Sequence, residues 1–150
     1  MAWRGFTAAM ATLVLCAGLA GCESAVSDDS QANGLTTKDW VAETINGKAV
    51  INPGRVTLSF NEGRASGRGG CNIYSGPVEI GAGTLKIGPL ISTKMACVDN
   101  GLMPQESVYL NTLQSAQRYS VGGDGRLTIT SASGALVYHG EPRQQRPEGS

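Results

Sequence analysis

Histidine is nearly absent from this chain: His139 is the only one among 150 residues. A serine or cysteine nucleophile therefore has at most one imidazole to activate it, and no Gly-x-Ser-x-Gly elbow is present. Zinc needs about four ligands at suitable spacing, which two spare cysteines and one histidine do not supply. No excess of positive charge exists either, with 12 Lys and Arg against 12 Asp and Glu, and aromatic residues make up only 5%. A nucleic-acid surface requires a basic face, so that class is excluded. Long apolar runs are missing as well. The longest, about Ala8 to Leu19, falls short of the roughly 20 residues that span a bilayer. Carboxylates are the one remaining route to catalysis. Glu62, Glu79, Asp99 and Glu106 are the candidates, but such residues in small domains are mostly solvent-facing charges. The expectation is a protein without catalytic centre, cofactor or metal.

The N-terminus has a clear layout. Arg4 precedes the apolar run, small residues follow it, and the order is that of a secretory signal. It ends in Leu19-Ala20-Gly21-Cys22, which resembles the lipobox of bacterial lipoproteins. That resemblance implies removal of residues 1–21 and acylation of Cys22. Multiple acyl chains, each methylene contributing about 0.8 kcal/mol, would hold the protein on a bilayer without a spanning helix. Residues 22–35 are polar and read as a flexible tether. No Asp follows Cys22, which favours the outer over the inner membrane. The mature side chains, 11 basic and 12 acidic, sum to −1.

Residues 36–141 are long enough for one modest core. Strand patterns dominate. In Arg55–Phe60, the apolar Val56, Leu58 and Phe60 alternate with Thr57 and Ser59. Asn61-Glu62-Gly63 reads as a tight turn into Arg64–Gly67. Further strands are expected at Trp40–Ile45, Val78–Ile80, Thr84–Ile87, Arg118–Val121, Arg126–Thr130 and Ala135–His139. One segment has helical spacing: Leu102, Tyr109, Leu113 and Ala116 share a face, and Pro104 suits a first helical position. The fold class is therefore α+β, a small curled antiparallel, barrel-like sheet with one main helix packed on it. Residues 142–150 read as a disordered tail.

Cys16 leaves with the signal and Cys22 takes the lipid, so Cys71 and Cys97 remain, in an oxidising envelope. A bridge between them would stabilise the domain by roughly 3–4 kcal/mol on chain-entropy arithmetic. Two reduced, buried cysteines, or a reactive or metal-bound pair, are the alternatives.

The stretch LSFNEGRASGRGGCNIYSG, residues 58–76, with ISTKMAC at residues 91–97, resembles the META domain family in its HslJ-like bacterial branch. The pattern falls on Trp40, Phe60, Gly63, Ser66, Gly67, Gly70, Cys71, Asn72, Thr93, Met95, Ala96, Cys97, Glu106 and Tyr138, the last in place of a Phe. Within it, Gly67, Gly69 and Gly70 suit special dihedrals or close backbone approach. Asn72 is expected to bond a neighbouring loop, with a ligand contact as the alternative. Thr93 is expected to tie its segment to the sheet. Met95 reads as core filler and Glu106 as a favourable helix start. His139 reads as a surface residue near a strand end.

The resemblance implies a non-catalytic, membrane-anchored accessory protein of the bacterial envelope, facing the periplasm, with a stress- or drug-resistance role. Its partners would be the bilayer, through Cys22, and an unidentified envelope protein. A binder of a small hydrophobic ligand or lipid is the second class, and an enzyme or enzyme inhibitor the third.

Overall fold

The computed structural model describes residues 28–98 and 101–143. The signal, Cys22, Asp99 and residues 144–150 lie outside them. The elements are α1 (Asp28–Thr36), β1 (Lys38–Ile45), β2 (Lys48–Ala49), β3 (Thr57–Asn61), β4 (Arg64–Arg68), β5 (Ile73–Ile80), β6 (Leu85–Ile87), β7 (Ile91–Ser92), α2 (Leu102–Gln114), β8 (Ala116–Val121), β9 (Leu127–Ser131) and β10 (Gly134–Pro142). The strands form one antiparallel sheet in the order β6-β5-β4-β3-β1-β10-β9-β8, with β2 against β1 and β7 against β5. The sheet curls until its two end strands meet at a single seam. An isolated bridge between Thr84 and Arg118, and a bond from Tyr119 N–H to the Gly83 carbonyl at 3.1 Å, join β6 to β8 there. The result is an α+β, barrel-like sheet with one main helix.

Local chemistry explains the elements. In β3, Leu58 and Phe60 are buried while Thr57 and Ser59 are half-buried, as period-two alternation requires. Glu62 and Gly63 both take positive φ, 46° and 71°, the backbone of a two-residue hairpin whose twist matches its strands. Helix α2 buries Leu102, Tyr109 and Leu113 along one stripe, but it ends at Gln114, so Ala116, expected on the same helical face, instead begins β8. Tyr109 and Leu113 share the core with Trp40, Leu58, Phe60, Tyr74, Leu127 and Tyr138.

Several boundaries differ from the sequence expectation. The part of the tether over residues 28–35 belongs to helix α1. Its composition is polar, but Leu35 is fully buried and its carbonyl accepts the Trp40 indole N–H at 2.9 Å. A tertiary anchor thus overrides weak local propensity. Residues 73–80 form one strand, longer than the expected Val78–Ile80. A Cβ at Gly76 would lie 2.8 Å from Leu90, so the glycine serves close packing rather than a turn. The domain runs past residue 141, since β10 includes Pro142 and the Arg143 guanidinium donates to the Phe60 carbonyl at 2.8 Å. Pro104 is the third residue of α2, not the first, because the helix begins at Leu102 after Gly101 in the left-handed region.

Candidate functional site

The turn Gly69-Gly70-Cys71-Asn72 joins β4 to β5 and is closed by a bond from Gly69 N–H to the Asn72 carbonyl at 2.8 Å. Gly70 has φ 125°, a conformation that side chains rarely adopt. A Cβ at Gly69 would lie 2.7 Å from the Glu106 side chain, so the glycine lets the helix come close.

Glu106 is only 5% exposed and occupies the fifth position of α2, beyond the first turn in which the sequence placed it. Its role is therefore different from a helix start. Oε2 accepts the backbone N–H groups of Cys71 at 2.9 Å and Asn72 at 2.6 Å, and Oε1 accepts the Asn72 side-chain amide at 2.6 Å. A buried carboxylate needs such donors. The other end of Asn72 holds a second segment. Its Oδ1 accepts the Thr93 hydroxyl at 2.9 Å and the Met95 N–H at 2.7 Å. Thr93 Oγ1 in turn accepts the Ile73 N–H at 3.2 Å. Cys71 and Cys97 are joined by a disulfide with Cα atoms 5.9 Å apart. Residues 93–98 are thus a strap, tied to the turn by the bridge, by Asn72 and by Thr93.

Met95 is not core filler. It is 54% exposed, because the strap lies outside the sheet and at this position attaches through the main chain, the Met95 N–H, rather than through the side chain. Trp40, Phe60 and Tyr138 are buried in the core. His139 is on the surface beside Glu43 and Glu141, at 3.4 and 3.7 Å.

Below the turn, three tyrosines from β5, α2 and β10 bring their hydroxyls together. The Tyr74 and Tyr109 hydroxyls are 2.8 Å apart, and Tyr138 donates to Tyr109 at 3.3 Å. Tyr74 also donates to the Thr57 carbonyl at 2.8 Å. Burial pushes the Tyr109 phenol up to about 12. Burial, and then the neighbouring phenols, push Tyr74 and Tyr138 well above the ordinary value. Gly67 makes the cluster possible, since a Cβ there would overlap the Thr57 carbonyl and crowd the Tyr74 hydroxyl. The sequence did not show this cluster; its only signal is tyrosine at apolar-patterned positions on three separate elements.

The chemistry of this region is that of a clamp. The cysteines are bonded to each other, and the carboxylate is occupied by three donors. Glu62 and Glu79 are exposed. Among the described residues, no three His, Cys, Asp or Glu side chains are grouped to hold a metal ion, and no helix is long and apolar enough to cross a membrane.

Three concave surfaces surround the clamp and the N-terminal end of α2. One, of about 440 Å³, is lined by Ile45, Ala49, Ile51, Pro104 and Val108, with Lys48 and Gln105 among its polar residues. A second, of about 400 Å³, lies over Ile73, Ser75, Ile91 and Thr93. A third, of about 290 Å³, separates residues 92–96 from Met103, Ser107 and Leu110 of α2.

The sequence pattern of the META domain matches residues 33–142. No curated protein matches the chain. Two structures solved by NMR are similar to it. One is 28% identical, with 76% of this chain and 94% of that chain covered and a TM-score of 0.59. The other, from Burkholderia xenovorans, is 23% identical over 95% of this chain and 100% of that one, with a TM-score of 0.60, and shares the fold.

Proposed function

This chain belongs to the META domain family, and from that premise we propose that it is a non-catalytic accessory protein of the bacterial cell envelope. It is anchored by acyl groups on Cys22, with the outer membrane favoured, and acts under envelope or drug stress by binding another envelope protein. Membership of the family supports the envelope-accessory role. The binding role is carried by one observation: apolar side chains stand in solvent around β7 and the strap. Ile73 is 53% exposed, Ile91 69%, Met95 54% and Val98 97%. Ile73 and Ile91 line one groove and Met95 the next, and the two grooves share Ser92 and Thr93. Adjoining apolar exposure of this kind marks interaction surfaces.

A second reading is favoured by the cavity of about 440 Å³ beside Ile45 and Val108, which is in the range that holds a small hydrophobic ligand.

The test is amine-reactive crosslinking of the full chain in its native envelope, with Ile91→Glu and Met95→Glu for comparison. A discrete adduct that both variants lose is expected. No adduct, or one that neither variant alters, would reject protein binding through this surface. The anchor is tested separately: Cys22→Ser should abolish palmitate labelling and release the processed domain from the membrane fraction.

A further inference from the structure

Strand β7 lies at an edge of the sheet. It pairs with β5 through Tyr74 opposite Ser92 and Ser75 opposite Ile91. Thr93 N–H donates to the Ile73 carbonyl at 3.0 Å, so residues 91 and 93 direct their backbone groups toward β5. By alternation, the N–H and C=O groups of Ser92 and Lys94 point the other way. Among the described residues, neither takes part in a backbone bond beyond the β5 ladder. An open edge of this sort is a template for another strand.

What faces the edge limits what can use it. Met103, Ser107 and Leu110 form one stripe of α2 at i, i+4 and i+7, and they line the same slot as residues 92–96. At one end the stripe continues to Gln114, whose Oε1 accepts the Leu90 N–H at 3.5 Å. The floor is Asn72 and Glu106, whose polar atoms are already engaged by the clamp. A helix thus stands opposite the edge, and a broad folded sheet cannot approach it. A single extended segment can.

We propose that this slot takes an extended peptide segment of a partner protein, which adds a strand to β7 by pairing with Ser92 and Lys94. The proposal rests on the protein-binding reading above and gives its mode. The wall residues set the chemistry of the segment. Met95 and Met103 offer flexible thioethers to apolar side chains, and Leu110 extends that surface. Lys94 is exposed on the rim of the slot, and a carboxylate on the segment is the charge that complements it. The chain's own residues 144–150, QQRPEGS, do not match. They contain no bulky apolar residue, and proline would interrupt the ladder.

Lys94→Pro is the discriminating variant. It removes the outward N–H and leaves the β5 side of the edge intact, and proline is tolerated at such positions. Lys94→Ala removes the charge and keeps the N–H. Nine-residue peptides would be selected from a displayed random library against the full chain in detergent. The best binder would be labelled and its affinity measured by fluorescence anisotropy. The expected sequences alternate apolar residues and carry an acid. Binding should fall at least tenfold in Lys94→Pro and less in Lys94→Ala, and peptide should protect the Ser92 and Lys94 amides from hydrogen exchange. Peptides lost in Ile91→Glu but unaffected by Lys94→Pro would overturn strand addition while leaving protein binding in place. Failure to select any peptide, while the envelope adduct persists, would also overturn it. Loss of both the adduct and the peptides would remove the parent reading as well.

Discussion

The carboxylate of Glu106 lies 2.6 Å from the side-chain amide of Asn72, and both residues are buried. Together they connect three segments distant in sequence: helix α2, the turn at residues 69–72, and the strap at residues 93–98.

Glu106→Gln keeps the shape of this junction and reverses half of its chemistry. One acceptor oxygen becomes a donor amide aimed at donors, and the charge that strengthens all three bonds is lost. A loss of about 2–3 kcal/mol is expected, from hydrogen bonds to a charged group and the desolvation of donors left unmet. Urea unfolding measures it. A change below about 0.5 kcal/mol, the range of ordinary surface substitutions, would show that the junction is not structural.

Gly67→Ala should be among the most damaging single-carbon additions in the domain. The added methyl group would meet the Thr57 carbonyl and the Tyr74 hydroxyl, both of which belong to the tyrosine cluster. Overpacking of this kind typically costs about 1–3 kcal/mol, and backbone contact puts it at the upper end. Gly123→Ala is the control, because nothing lies within 4 Å of the added atom. The two variants should differ clearly in thermal midpoint.

Removing the Cys71–Cys97 bridge should lower stability by about 3–4 kcal/mol, the chain-entropy value for its loop. The paired Cys71→Ala, Cys97→Ala variant avoids leaving a free thiol. Faster hydrogen exchange should appear in the strap, with the Met95 amide the most affected. Quantitative alkylation of both cysteines without reduction would contradict the bridge.

The tyrosine cluster makes an alkaline prediction. In the folded state Tyr109 ionises at about 12, and Tyr74 and Tyr138 are also raised. Unfolded, each returns to about 10. A folded value above the unfolded one means that the contribution to stability is complete below about pH 10. It is lost as pH rises toward and through about 12. Absorbance at alkaline pH should therefore show delayed phenolate formation in the native protein and formation near pH 10 in denaturant. Native phenols that all titrate near 10 would contradict the burial of the cluster.

Much of this architecture is legible in the sequence because it is local. Leu58 and Phe60 alternate with polar residues, Glu62-Gly63 spells its hairpin, and the α2 stripe keeps its spacing from Leu102 to Leu113, though not to Ala116. The two cysteine-bearing segments carry the family pattern. What was not legible depends on distance. A glutamate near a helix start looks like any surface acid until residues 34 and 35 positions earlier arrive to donate to it. Three tyrosines on β5, α2 and β10 have no shared periodicity. Met95 has an apolar side chain, which suggests burial, yet its backbone makes the attachment. Helix α1 owes its place to Leu35 and Trp40 rather than to its composition.

The pairing of β1 with β10 has a consequence for how the domain comes into being. Trp40 lies opposite Gly140, and β1 sits in the middle of the sheet with β3 on one flank and β10 on the other. A chain delivered N-terminus first presents β1 early and its β10 neighbour much later. Until then that strand has one bare flank, and the contacts that cover it are among the most remote in sequence, which slows folding and invites mispairing. A nascent chain stopped before Gly134 has no means of closing the sheet. Completion of this fold is therefore a late event, governed by release of the final strand, and unfinished products are expected to reach proteases as open chains rather than as partly built domains.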